Sequence, residues 1–274
     1  MKFEDLERRM RVYEGAFDAS VLPGMHIVCR LDGRSFTRLT KETMPWERPF
    51  DERMRDLMVG TTQHLMGCGF SVTYGYTQSD EISLLFALDE TTFARKVRKL
   101  ISTLAGEASA AFSLAVGRQA TFDARVIPLP NADLVVDYFR WRQADAHRNA
   151  LNSHCYWTLR AEGMSEGDAS AVLLGKPVSV KNELLFSRGI NFDDLPAWQK
   201  RGVGVYTVTV PKVGVNPLTG ESAVAERRRL HTDMQLPIGD AYAEFLRRFL
   251  DGAGLILQCG LDFERDDPGE CRRP

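Results

Sequence analysis

FSVTYGYTQSDEISLLFAL, residues 70–88, is the stretch on which the fold turns. Phe70 to Thr77 and Ile82 to Leu88 are strand-length runs rich in β-branched, aromatic and aliphatic residues, with only Gln78-Ser79-Asp80-Glu81 between them. Such a pair reads as a hairpin with a polar, acidic tip. Upstream, Met54, Leu57, Met58, Thr61 and Leu65 recur at helical spacing, and Gly67 and Gly69 close that helix. Before it, HIVCRLD (26–32) reads as a strand ending at the turn signal Asp32-Gly33. Downstream, Phe93, Val97, Leu100, Ile101, Leu104, Ala108, Ala111, Phe112 and Ala115 form one face of a long helix, with Gly117 as its C-cap. Thr121 to Leu129 is the fourth strand. The order strand, helix, strand, strand, helix, strand predicts an α+β, ferredoxin-like βαββαβ fold, an antiparallel sheet with helices on one face. Right-handed crossovers then put strands one and three side by side in the middle. The end of strand one meets the hairpin tip at one edge, so Asp32 comes near Asp80.

The rest of the chain sets bounds. Its 274 residues are 44% hydrophobic, enough for one sizeable core with an attached lobe. The net charge of −2 argues mildly against a nucleic-acid binder, although affinity for phosphate depends on local patches. Five cysteines (Cys29, Cys68, Cys155, Cys259 and Cys271) are widely spaced without a CxxC pair. A disulfide framework or structural zinc site is therefore not expected, and a reducing cytoplasm fits. The opening MKFEDLERRM is charged, so no secretory leader is expected, and no run of about 18 apolar residues predicts a membrane span. Residues 3–15 look helical, and the polar tail from Glu264 to Pro274 is expected to fray.

Residues 1–130 are expected to form the first, catalytic domain and residues 131–274 a C-terminal α/β lobe packed on it. Asn131 and Asp133 cap a helix carrying Tyr138, Phe139, Arg140, Trp141, Arg142, His147, Arg148 and Asn152. Ser165 and Asp168 start another helix, and Lys181 to Phe186 a short third. Val203–Val210 and Glu221–Leu230 read as a hairpin turning at residues 216–220.

Magnesium prefers oxygen ligands, keeps several waters, and is bound by one or two carboxylates plus substrate phosphates. A two-metal site needs carboxylates from separate elements to converge. Asp32 and Asp80 would supply them, and Gly33 has no side chain to keep its carbonyl from a metal. Arg34, Ser35 and the following N–H groups would meet a triphosphate. In isolation, an Asp-Gly after a strand is a turn and a Ser-Asp-Glu tip is a solvated loop. Their coincidence on one frame is what points to a site.

Four segments, in order, resemble those of the tRNA-His guanylyltransferase family. Arg30-Leu31-Asp32-Gly33-Arg34-Ser35-Phe36 resembles its RLDGRxF segment, and Tyr76 to Glu81 resembles YGQSDE. Trp141 to His147 resembles WRQADxH, and Lys181 to Phe186 resembles KNEILF. The resemblance implies a polymerase-like palm and two magnesium ions on Asp32, the Gly33 carbonyl and Asp80, supported by Glu81. It implies an incoming nucleotide bound by residues 32–37 (Asp32, Gly33, Arg34, Ser35, Phe36, Thr37) and by Ser79-Asp80. His147, Asn152 and Lys181 join the nucleotide-binding set. Arg48-Pro49-Phe50-Asp51 lines up with a family Lys-Pro-Asn-Asp segment whose lysine contacts triphosphate, with Arg48 in the lysine's place. The implied reaction activates the 5′-monophosphate of a tRNA with ATP or GTP, and the 3′-hydroxyl of an incoming GTP or other triphosphate then attacks that end. The family tends to form tetramers, so a homotetramer is expected.

The chain departs from the strict family pattern after WRQAD. His147-Arg148-Asn149-Ala150-Leu151-Asn152-Ser153 keeps only part of HINNLYN, which resembles the guanylyltransferase-like branch that repairs tRNA 5′ ends in the 3′-to-5′ direction. Aromatics interleave with arginines from Tyr138 to Arg142, a pattern suited to RNA. Arg140, Arg142, Arg148 and Arg228 are the candidate RNA contacts, although the Arg227–Arg229 run also reads as a solvated one. His26, His64, His154 and His231 lack metal-ligand spacing and read as structural. Two other readings stay open: a nucleotide cyclase sharing the palm frame, and a non-catalytic RNA-binding protein.

Overall fold

The structure is a computed structural model that describes residues 2–40, 44–215, 222–250 and 255–256. The expected hairpin turn at 216–220, the polar tail, Cys259 and Cys271 lie outside the described residues.

The first half follows the expected order: β1 (His26–Arg34), α2 (Phe36–Arg38), α3 (Glu52–Gly67), β2 (Val72–Gln78), β3 (Glu81–Phe86), α4 (Val97–Val116) and β4 (Thr121–Leu129), after an N-terminal helix α1 (Phe3–Glu14). Asp51 starts α3 by accepting the Arg53 N–H at 2.8 Å, and Gly117 ends α4 in the left-handed region at φ 70°. Strand order is β4-β1-β3-β2, with β1 antiparallel to both β3 and β4, so strands one and three are central as expected.

The second half is α5 (Ala132–Ala161), α6 (Glu166–Leu173), α7 (Val178–Phe186), α8 (Ala197–Arg201), β5 (Val203–Val215), β6 (Ser222–Asp233), α9 (Gly239–Arg247) and the short β7 (Leu255–Ile256). The change of pattern near residue 131 falls between β4 and α5. The β5–β6 hairpin beyond it continues the same sheet: Thr77 pairs with Val203 and Tyr74 with Tyr206, extending the order to β4-β1-β3-β2-β5-β6.

Both faces of this sheet are covered. Ile27, Cys29, Leu31, Ile82, Leu84 and Phe86 pack under α3 and α4 with Leu65, Leu104 and Phe112. Val28, Tyr74, Tyr76 and Leu85 pack on the other face against Val135, Val136 and Phe139 of α5 and Tyr242 and Leu246 of α9. The single helical face expected for the four-strand unit is thus joined by a second layer from the later chain. HIVCRLD reads as alternating in the sequence, yet His26 to Cys29 and Leu31 are all buried, because both faces of the sheet are covered. At about 1.5 Å per residue the 30-residue α5 is about 45 Å long. Its first half lies on the sheet. Its second half, with Ala150, Leu151, Cys155 and Leu159, builds a separate core with Ala169, Leu173, Leu185 and Phe192.

Candidate active site

Asp32 and Asp80 meet at one edge of the sheet. Asp32 is paired across the strands with Glu81, and the Gly33 N–H donates to the Asp80 carbonyl at 3.0 Å. Gln78 and Glu81 pair directly, so Ser79 and Asp80 form a two-residue turn in which Ser79 takes a left-handed φ of 50°. Gly33 cannot be replaced without strain, because a Cβ there would lie 2.4 Å from the Phe36 ring. That ring is 2% exposed and packs 5.0 Å from both Phe112 and Phe122.

The charges at this edge are ordered. Strand alternation puts Val28, Arg30 and Asp32 on the α5 side of β1. Arg30 stands 3.7 Å from Asp32 and 3.5 Å from Glu81. Arg142 of α5 pairs with Glu81 at 2.9 Å and with Asp145 at 2.5 Å, and Arg148 also pairs with Asp145. Burial pushes the Glu81 carboxyl above its ordinary range; Arg142 and Arg30 oppose this, and the Asp32 charge adds to it. Burial, then the charge on Asp32, pushes Asp80 up in the same way. Asp32 and Asp80 therefore repel each other in a partly dry place, whereas Glu81 has cations on it. A divalent cation between the aspartates would relieve that repulsion. Among the described residues no three His, Cys, Asp or Glu side chains gather to hold a metal alone. Two carboxylates and a carbonyl fit magnesium, which takes its other ligands from water and phosphate.

Beside this edge lies a cavity of about 340 Å³. Phe36, Thr37, Arg48, Ser79 and Asp80 of the expected site line it. Its far wall is a stripe of α5, Ala146, Asn149, Ala150, Ser153 and Trp157, at the i, i+3, i+4 spacing of one helix face. Gln78, Trp198 and Gln199 also line it, together with the charged Glu47, Asp51 and Arg55. The Arg48 guanidinium lies 5.2 Å from the Trp157 ring centre, and its NH2 group donates to the Thr40 carbonyl.

Other expected residues lie elsewhere. Arg34 and Ser35 line a second hollow on the far side of Phe36, with Arg38, Arg118, Gln119 and Thr121. His147, Asn152 and Lys181 line neither hollow. His147 packs edge-on to Phe192 at 5.3 Å, and Lys181 donates to Asn152 at 2.9 Å. Arg142, read from sequence as an RNA contact, is 4% exposed and spends its charge on Glu81 and Asp145, so burial corrects that reading. Arg140, Arg148 and Arg228 are exposed; Arg140 stands 3.4 Å from Asp240. Among the described histidines, His154 bonds Gln199 at 2.9 Å and His64 bonds Glu107 at 2.7 Å, with no metal cluster. Sequence reading missed Arg30, Asn149, Ser153 and Trp157. Arg30 stands two residues before Asp32, and strand alternation alone would have put it on the same face. The α5 stripe shows itself only once the helix is seen against the hairpin tip.

The family model described as tRNAHis guanylyltransferase matches residues 7–130, and the one described as Thg1 C terminal domain matches residues 133–236. The chain is 34% identical over 195 residues to a probable tRNA(His) guanylyltransferase of Drosophila melanogaster, covering 68% of each chain. A bacterial tRNA(His) guanylyltransferase-like protein solved in complex with ATP matches with a TM-score of 0.69 at 28% identity, over 89% of this chain and 99% of that one. The tRNA(His) guanylyltransferase of Saccharomyces cerevisiae matches with a TM-score of 0.65 at 27% identity, over 71% and 91%.

Proposed function

Since the chain belongs to the tRNA(His) guanylyltransferase family, we propose that it is a nucleotidyltransferase that adds nucleotides to the 5′ end of a tRNA in the 3′-to-5′ direction. The observation that carries this reading is the bond from the Gly33 N–H to the Asp80 carbonyl, which ties both acidic turns to one edge beside the 340 Å³ cavity.

Asp32, the Gly33 carbonyl and Asp80 would hold two magnesium ions, which neutralise phosphate charge and lower the cost of bringing two anions together. The protein's own groups do the positioning. Arg142 holds the Glu81 carboxyl from α5, and Arg30 stands beside both Glu81 and Asp32, so the guanidinium groups offset the repulsion between the two carboxyls across the strand pair. Trp157 and the guanidinium of Arg48 offer a flat face for a base, and the amides of Gln78, Asn149 and Gln199 offer donors and acceptors for its edge. Ser79 and Thr37 lie where the triphosphate would run from that base to Asp80. In the first step a 5′-phosphate oxygen of the RNA attacks the α-phosphorus of ATP or GTP and pyrophosphate leaves. In the second, the 3′-hydroxyl of the incoming nucleotide attacks the RNA 5′ phosphorus, its proton is lost, and the nucleoside monophosphate leaves. No protein nucleophile is required; the task is alignment of anions.

The altered segment at residues 147–153 and the match over 89% of the chain to a bacterial guanylyltransferase-like protein favour repair of shortened tRNA 5′ ends over addition of a single guanosine. We further propose a homotetramer acting in the cytoplasm, so that one tRNA reaches basic patches on more than one subunit.

Incubation with magnesium, labelled GTP and a tRNA lacking its first nucleotide tests the reaction. Label joined to the 5′ end supports it. Cyclic nucleotide without RNA growth would indicate a cyclase, and RNA binding without either product a non-catalytic binder.

A further inference from the structure

The first helix takes no part in the site. α1 (Phe3–Glu14) buries none of its residues in this chain. It is rooted at its C-terminal end. Gly15 caps it by donating to the Arg11 carbonyl at 2.9 Å. Beyond the cap, Asp18 pairs with Lys96 at 2.7 Å and with Arg98, and the Val97 N–H donates to the Ala19 carbonyl at 2.8 Å. The root therefore sits on the start of α4, and the helix extends from it as an arm.

A helix of 12 residues is marginal by itself. Below about 12–15 residues an isolated helix is barely stable in water, and most helical stability in proteins comes from covering an apolar face. The Glu7–Arg11 bond at 2.9 Å and the acidic first turn at Glu4 and Asp5 add only a little. The apolar residues of α1 have a definite order. Phe3, Leu6, Met10 and Tyr13 follow at steps of three, four and three, the a and d positions of a heptad. All four are exposed, Phe3 by 74% and Tyr13 by 72%, and Val12 stands off this row.

The charges beside the row choose the cover. With Phe3 at a, Lys2 and Arg9 fall at g, and Glu7 and Glu14 at e. In a parallel, in-register pair each g residue faces the e residue of the following heptad on the other helix. Lys2 would then meet the partner's Glu7 and Arg9 the partner's Glu14, each contact made twice by two-fold symmetry. An antiparallel pair sets e against e and g against g, which puts acid on acid and base on base. The outer face balances Glu4 and Asp5 with Arg8 and Arg11, unlike the basic face of a helix that lies on a membrane. A second copy of this chain thus fits the arm in both shape and sign. Two heptads are fewer than the roughly three to four of a sustained coiled coil. The contact therefore suits subunits that also meet elsewhere, as in a tetramer.

We infer that α1 pairs in parallel and in register with α1 of a second copy, through Phe3, Leu6, Met10 and Tyr13, and that this pairing joins dimers into the homotetramer. This rests on the homo-oligomer of the proposed function and not on its reaction.

Mass in solution tests it. Sedimentation velocity and light scattering at micromolar protein compare wild type, Leu6→Glu/Met10→Glu, Arg9→Glu, Glu14→Arg and the double swap Arg9→Glu/Glu14→Arg, with melting curves for each. Wild type is expected to be a tetramer and the Leu6→Glu/Met10→Glu variant to fall to half that mass. The body of that variant should still melt cooperatively, because α1 buries nothing in its own chain. Each single swap should weaken association several-fold and the double swap should restore it, a rescue that g-to-e pairing in parallel requires. Under mild oxidation Leu6→Cys should give a cross-linked dimer that wild type, with its own cysteines, does not. A Leu6→Glu/Met10→Glu variant that keeps the wild-type mass would overturn the inference. So would cross-linking only between Leu6→Cys and Met10→Cys chains, which marks an antiparallel pair. Binding of wild type to phosphatidylserine vesicles, lost in the Leu6→Glu/Met10→Glu variant without change of mass, would overturn it too and make α1 a membrane-surface helix. A monomeric wild type would sink the proposed tetramer along with the inference, and 5′ addition by that monomer would leave the reaction standing.

Discussion

Arg142 shows how a charge whose type suits RNA is taken up by the fold. It is held between Glu81 and Asp145, and removing one partner of such a buried pair costs about 3–5 kcal/mol. Arg142→Ala is therefore expected to lower the unfolding free energy in urea by an amount of that order, and a loss under about 1 kcal/mol would show that Glu81 does not need it. Gly33→Ala acts through contact: the new methyl would press on the Phe36 ring, and overpacking costs about 1–3 kcal/mol. It should also separate the two acidic turns, so its activity should fall further than its stability, as melting and turnover measured side by side would reveal. Asp51 gives a pH dependence. The side-chain hydrogen bond from Arg53, with backbone N–H groups from Glu47 and Arg53, holds its carboxyl well below the usual range despite burial. A depressed carboxylate stabilises the fold above its ordinary pKa of 3.8 and loses that contribution progressively as pH falls from there through its lower folded-state value. Asp51→Ala should cost about 1 kcal/mol at neutral pH as a lost helix cap, and the gap to wild type should narrow below about pH 4. A gap that stays constant down to pH 2 would contradict this assignment.

At the scale of elements, α5 links the chemistry to the rest of the fold. It lies on the sheet through Val135, Val136 and Phe139, holds Glu81 through Arg142, walls the cavity beside Asp80 with its 146–157 stripe, and ends in a second core. Trp157→Ala should raise KM for the nucleotide several-fold and leave RNA affinity unchanged; steady-state kinetics with each substrate varied in turn would check this, and an unchanged nucleotide KM would remove Trp157 from the site. How much could be read beforehand follows from the same helix. The strand and helix order of residues 26–129 was legible because each element has one period and a turn residue at its end. The contact between Asp32 and the hairpin tip followed from that order. The role of α5 was not legible, because its buried face serves the sheet at one end and a helical core at the other, so no single stripe runs its length. The placement of β5 beside β2 was hidden too, since Thr77 and Val203 are brought together by the packing of the intervening helices α4 to α8. The split of residues 34–37 between two hollows depends on the left-handed backbone at Ser35, which a serine does not announce.

For the whole molecule, the sheet edge is a divider. Phe36 lines both the cavity beside Asp80 and the second hollow, which Arg34, Arg38 and Arg118 line. The described helices include none long and apolar enough to cross a membrane. The proposed reaction rests on the two aspartates. The most direct measurement is the rate of magnesium-dependent addition of labelled GTP to the 5′ end of a tRNA lacking its first nucleotide, for wild type, Asp32→Ala and Asp80→Ala, with melting curves for all three. Wild type should extend the RNA, and each variant should lose incorporation by at least about a hundredfold, the scale of removing one group that stabilises transition-state charge, while keeping a folded-state melt. Incorporation at the wild-type rate in either variant would contradict the assignment of the metal site.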